Sequence, residues 1–159
     1  MSFWRMQMHP AAPGHAVAHA ISSLSSGYIG LDFAGDVGDL LRGNQSDLLP
    51  GQKDYWAFAH EMVIGDLVLI VVHHFPFALA RVAGPYNYIR NVVPELGVWF
   101  RHFREVKEVS YYADFKTNAR DWEKTIMTDT ISPLRDPQTI SFRLISEWSR
   151  SMPGPGSAD

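Results

Sequence analysis

Bulky and polar residues alternate from Phe3 to Met8, which predicts a first strand ended by His9-Pro10. Pro13-Gly14 introduces His15 to Ser23, where Val17, Ile21 and Leu24 recur at helical spacing and predict an amphipathic helix. Ser25-Ser26-Gly27 stops it, because glycine suits a left-handed C-terminal cap. Tyr28 to Phe33 (YIGLDF) predicts a buried second strand. Asp36 is placed to cap a short helix around Val37 to Leu41. After the turn Leu48-Leu49-Pro50-Gly51, a longer helix is predicted over Gln52 to Met62.

The strongest β signal is Leu67 to His73 (LVLIVVH), a continuous apolar run rich in branched residues. A turn at His74-Phe75-Pro76 leads to a hairpin partner over Phe77 to Ala83, which Gly84-Pro85 is expected to end. Tyr86 to Leu96 then reads as an irregular loop. Val98 to Val109 alternates cleanly as a long strand, and Tyr111 to Phe115 reads as another short one. Asp136-Pro137 starts a last helix with proline at its first position, its apolar face formed by Ile140, Leu144, Ile145 and Trp148. There is no internal repeat. The order β-α-β-α-α-β-β-β-α predicts an α/β (α+β) domain over residues 1–150, a small curved or barrel-like sheet flanked by helices. Residues 151–159, rich in Pro, Gly and Ser, read as a flexible tail or linker.

Composition narrows the chemistry. The chain has 159 residues, 46% hydrophobic and 19% charged, a globular balance. It has no cysteine, so disulfides, thiolate metal sites and a catalytic thiol are excluded. No secretory signal is visible, and the longest apolar run is too short to span a bilayer, so a cytoplasmic, soluble protein is expected, with no membrane partner. A formal net charge of −3 counts against indiscriminate nucleic-acid binding, which rests on phosphate neutralisation. Cations do gather in the second half, from Arg81 to Arg120, whereas aspartates crowd the first.

Histidines raise a metal reading. His15 and His19 (HAVAH) lie four apart on a predicted helix and could reach one ion, with His60, His73, His74 and His102 as further ligands. No glutamate follows His15 to act as a base, and no nucleophile elbow, Walker loop or dinucleotide fingerprint is present. No cofactor is expected, and catalysis is expected on another domain or chain.

The stretch Ile64 to Tyr88 (IGDLVLIVVHHFPFALARVAGPYNY) joins a Gly-Asp before an apolar strand, a hairpin, and Ala-Arg-Val-x-Gly-Pro-Tyr-x-Tyr. Together with the strand carrying Arg101-His102-Phe103-Arg104 and Val106, it resembles EVE-like domains of the PUA superfamily, relatives of YTH domains. Such domains occur in modification-dependent restriction systems, as McrBC-type specificity domains and as EVE modules fused to HNH nucleases. The resemblance covers residues 3 to 148 in organisation and 64 to 106 in motif. It implies a PUA-like barrel that encloses a flipped, methylated base in an aromatic and polar cage.

By the position of the family's pocket, the resemblance implies base-pocket roles for Met8, His9, Asp32, Phe33, Tyr86 and Tyr88, with Trp122 closing it. Asp32 would accept from a base's exocyclic amine or cap the following turn. Phe33 and the tyrosines would stack on the base, or fill core and turn positions. Arg90, Arg101, Arg104, Lys116 and Arg120 would contact phosphate or form a solvated face. Trp56 and Trp99 are expected in the core. Relatives commonly place a tryptophan at the end of the second strand, where this chain has Asp32 and Phe33, so the base and its modification stay open.

The expected function is thus a reader of 5-methylcytosine, 5-hydroxymethylcytosine or N6-methyladenine in DNA, the specificity module for a nuclease or motor on another domain or subunit. Alternatives are a reader of modified RNA, a small-molecule or protein-interaction domain, and a metal-dependent hydrolase using His15 and His19.

Overall fold

The computed structural model describes residues 1–8, 13–32, 35–112 and 129–152. In chain order the elements are β1 (Phe3–Gln7), α1 (Ala16–Ser25), β2 (Tyr28–Leu31), α2 (Lys53–His60), β3 (Leu67–Val72), β4 (Phe75–Tyr88), β5 (His102–Tyr111), β6 (Ile131–Leu134) and α3 (Ile140–Trp148). Among the described residues, no helix is long and apolar enough to cross a membrane.

Six apolar side chains in succession leave neither face of β3 fit for water, and the strand is buried along its whole length. It sits inside a mixed sheet of order β2-β5-β4-β3-β1-β6. The β1–β3 pair is parallel and the other pairs are antiparallel. The sheet curls into a half-barrel, so the fold is mixed α/β. Val68, Ile70 and Val72 join Trp4, Met6, Ala20, Leu24, Tyr55 and Phe58 in the larger core, beneath α1 and α2. Leu67, Leu69 and Val71 point the other way, against Leu79, Ile145 and Met152, beneath α3. Met152 therefore belongs to the packed body, inside the segment read as a tail.

Several elements depart from the sequence reading, each for a local reason. No helix forms over Val37 to Leu41. Instead the Asp36 and Asp39 side chains accept from the Gly38 and Leu41 N–H groups in two successive Asx turns, and Gly38 takes a φ of 74°. His73 and His74 belong to no strand. Both have positive φ, the signature of a tight hairpin turn whose twist matches the strands it joins. Pro137 does not open α3; Thr139 does, its hydroxyl accepting from the Phe142 N–H. The sequence reading missed β6, a short strand that carries Pro133; it lies at the sheet edge, one of the places where a strand tolerates proline.

The most consequential departure lies in β4, which does not stop at Gly84-Pro85. Val82 pairs with Val106 and Tyr86 with Arg104, so Ala83, Gly84 and Pro85 stand opposite Glu105 alone. Proline cannot donate to the ladder, and the strand absorbs it as a bulge before re-pairing. Tyr86 and Tyr88 consequently lie on a strand and not in a loop.

Two buried charges tie these parts together. Asp66, fully buried, accepts from the Ser2 N–H, the Trp4 indole and the Val63 N–H at 2.7, 2.8 and 3.0 Å, so the Gly-Asp motif latches β1 to the entry of β3. Arg104, 4% exposed, donates to the carbonyls of Phe58, Ala59, Met62 and Gly84 at 2.8 to 3.2 Å. Its guanidinium also lies 5.6 Å from the Phe58 ring centroid. The expected phosphate contact by Arg104 is corrected accordingly: its donors face the protein interior. Replacing Arg104 with methionine leaves four buried carbonyls without their donor and should cost about 3–5 kcal/mol in urea unfolding. A loss below about 1 kcal/mol would show that α2 docks without it.

Candidate functional site

The ladder around His102 builds the site. Its backbone pairs with Leu31 of β2 on one side and with Tyr88 of β4 on the other. Side chains alternate along β5, so His102, Arg104 and Val106 face inward while Arg101, Phe103 and Glu105 face outward. Beside this ladder the chain needs room. A Cβ on Gly30 would meet the His102 carbonyl and the Phe100 ring at 2.5 Å, so only glycine lets β2 come this close.

His102 is 1% exposed and boxed by rings: Tyr55 at 4.6 Å, Tyr88 at 5.3 Å and Tyr86 at 6.0 Å between centroids. Burial holds its pKa down at about 4. The Tyr86 hydroxyl takes a hydrogen bond from the Leu40 N–H at 3.3 Å and lies 2.7 Å from His102 Nδ1. A neutral imidazole beside that hydroxyl accepts its proton at Nδ1, which assigns the ring proton to Nε2. Burial correspondingly pushes the Tyr86 phenol up, so it stays protonated and donating.

Outside this sealed layer lies a polar rim. The half-buried Tyr88 donates its hydroxyl to both Asp36 oxygens at 2.8 and 2.7 Å. That bond, with the one from the Gly38 N–H, holds the Asp36 carboxyl below its usual range. Arg101 Nη1 donates to Asp32 Oδ1 at 2.8 Å, and its Nε to the Arg90 carbonyl at 3.3 Å. Desolvation raises the Asp32 pKa and the Arg101 charge opposes it. The result is one ring, two carboxylates and one guanidinium, held in place by bonds to strands and turns.

Asp32, Tyr86 and Tyr88 of the expected base pocket lie beside Arg90 and Arg101, which the sequence reading set apart as phosphate contacts. Tyr86 is nevertheless 7% exposed, and its role here is to hold His102 and the turn at Leu40. Met8 is 2% exposed and packs in the main core, so it does not wall an open pocket. Arg104 pairs with Tyr86 across the ladder, but its guanidinium is buried against α2 and faces away from the rim. His9, Phe33, Lys116, Arg120 and Trp122 lie outside the described residues. Trp56 and Trp99, expected in the core, are half-buried, and each stacks on a histidine at 3.8 Å.

The sequence reading missed His102 and Asp36 as members of this group. The inward register of His102, two residues after the apolar Phe100, was the available signal. Among the described residues, no group of three or more His, Asp or Glu side chains is placed to hold a metal ion. The arrangement suits recognition: fixed acceptors for amino groups, one cation for an acceptor or phosphate, and one ring edge or face. A cleft of about 750 Å³ between α2 and β6, lined by Arg5, Lys53, Asp54 and Arg135 among others, contains none of these residues. No family model matches the chain, and none of the curated proteins matches it either.

The depressed His102 pKa sets a pH dependence. The folded state binds its proton only near pH 4, whereas an unfolded histidine does so near 6.5. The stability associated with the neutral ring is therefore complete above that range and falls as pH drops from about 6.5 towards 4. Between pH 7 and 5 the loss should reach about 2 kcal/mol in urea unfolding. The His102→Gln variant should show a markedly flatter profile; an unchanged slope would remove His102 as its source.

Proposed function

We propose that this chain reads a modified base in DNA, as an EVE-like domain of the PUA superfamily, serving a restriction system whose nuclease or motor lies on another domain or subunit. The observation that carries this reading is the convergence of Tyr88, Asp36, Asp32 and Arg101 at one end of a curled sheet. A base extruded from a duplex loses its stacking, and an aromatic face replaces it. Its exocyclic amine then needs an acceptor already oriented, which Asp32 and Asp36 supply, Asp32 from a partly desolvated position. Arg101 neutralises Asp32 between binding events and stands ready for a carbonyl or a phosphate.

The charge balance fits a reader that grips one base. At a net −3 the chain gains little from bulk attraction to phosphate, so affinity has to come from the pocket and from a few local cations such as the exposed Arg90. His102 and Tyr86, sealed beneath the rim, keep Tyr88 in register and take no part in contact with the base.

Duplex oligonucleotides carrying 5-methylcytosine, 5-hydroxymethylcytosine or N6-methyladenine test this, with unmodified DNA and modified RNA alongside. One modified duplex should bind at least about tenfold more tightly than its unmodified partner, about 1.4 kcal/mol. Equal affinity across the panel would sink the reading, and preference for RNA would move it to the other nucleic acid. Tyr88→Ala and Asp32→Ala should reduce the preference itself, Tyr88→Ala by about 1–3 kcal/mol. Arg90→Ala should weaken all duplexes alike and lower the salt slope by about one.

A further inference from the structure

The HAVAH motif of α1 has a geometry that neither a metal site nor the pocket explains. His15 and His19 do not converge on a point. Their rings stack nearly parallel, 15° apart, with centroids at 5.5 Å. His19 stacks in turn on Trp99 at 3.8 Å and 16°. The three rings form a column that begins half-buried at Trp99 and ends at the exposed His15.

The base of the column is fixed. Gly97 caps the preceding turn with a φ of 74°, and a Cβ there would come within 2.2 Å of Ser26 Oγ, so the segment before Trp99 lies hard against the end of α1. Trp99 also lies two residues before Arg101 of the site. Val98, Phe100 and His102 are buried, whereas Trp99 and Arg101 between them are half-exposed. One short segment therefore carries both the base of the column and the cation of the Asp32–Arg101 pair. In a chain of net charge −3, α1 carries no carboxylate at all, so a phosphate backbone passing over it meets no repulsion from the helix's own side chains.

We infer that the His15–His19–Trp99 column is a stacking platform for a second base, a neighbour of the extruded one in the same nucleic acid; this rests on the modified-base reading above. A flat ring with an open face, backed by two more rings, presents a rigid surface that any base can cover, and such stacking is tolerant of sequence. The platform holds the strand beside the pocket and adds affinity without contributing to the choice of modification.

The test places the fluorescent base 2-aminopurine at each position flanking the modified base and uses the full chain. Wild type should quench the fluorescence at one flanking position. His15→Ala should abolish that quenching and weaken modified and unmodified duplexes alike, roughly tenfold, while leaving their ratio unchanged. His15→Phe should restore both, because it returns a ring without a metal-binding nitrogen, and excess chelator should change nothing. Thermal unfolding of His15→Ala at the wild-type temperature excludes a folding defect, as His15 is at the surface. Three results overturn the platform: no flanking position quenched, His15→Ala equal to wild type while modified DNA is still preferred, or binding that requires added zinc. His15-dependent quenching without any preference for modification would leave the platform standing and remove the pocket reading. Failure to bind any oligonucleotide removes both.

Discussion

One buried cation organises this molecule. Arg104 brings five donor hydrogens into a space without water, and an unmatched guanidinium there would be prohibitively unstable. The chain answers with backbone carbonyls from the end of α2, the turn after it and the β4 bulge. Phe58 and Ala59 lie in the last turn of α2, where helical carbonyls are left open and carry the negative end of the helix dipole. Met62 follows that end, and Gly84 sits in the β4 bulge. Helix, sheet and bulge are therefore positioned by a single planar group whose fork geometry lysine could not reproduce. Because the bulge sets the register of Tyr86 and Tyr88 against β5, the orientation of the rim follows from a charge several residues away from it.

The candidate site is layered by polarity. Beneath, neutral His102 and protonated Tyr86 satisfy each other, with Leu40 completing the set. Above, charged groups are paired but remain in reach of solvent. This division separates rigidity from recognition: the inner layer resists reorganisation, and the outer one can exchange Arg101 or water for a ligand group. A weakly acidic protein with so few free cations at its rim depends on that preorganisation, since ordering cost is what a small contact area can least offset.

How much of this could be read from the sequence depends on whether a residue's neighbours were local. Periodicity located α1, the helix over Lys53–His60, the apolar β3 and α3, because each needs only its own residues to declare itself, but Ile21 and Ile140, read on the apolar faces of α1 and α3, are exposed. The Gly-Asp motif was visible, although not that Asp66 would bind Ser2 and Trp4 some sixty residues earlier. Pro85 misled for a simple reason. Proline signals a break, and whether it becomes a bulge or an edge is decided by the neighbouring strand. Asp36 was read as a helix cap, whereas the glycine at 38 and the phenol of Tyr88 turn it into part of the rim. Arg104 was read as a surface cation because its acceptors lie 20 to 46 residues away.

The place of β1 carries a temporal consequence. It lies between β3 and β6, with Phe3 opposite Leu67 on one side and Leu134 on the other. During synthesis β1 thus waits for a partner some sixty residues downstream, and for its second partner until β6 has followed. Local helices can form early, but the sheet closes late and as a unit, with its earliest segment completed among the last. Until β3 and β6 are in place Trp4 and Met6 lack the strands that flank them, so within this domain β1 is the segment most open to misassociation.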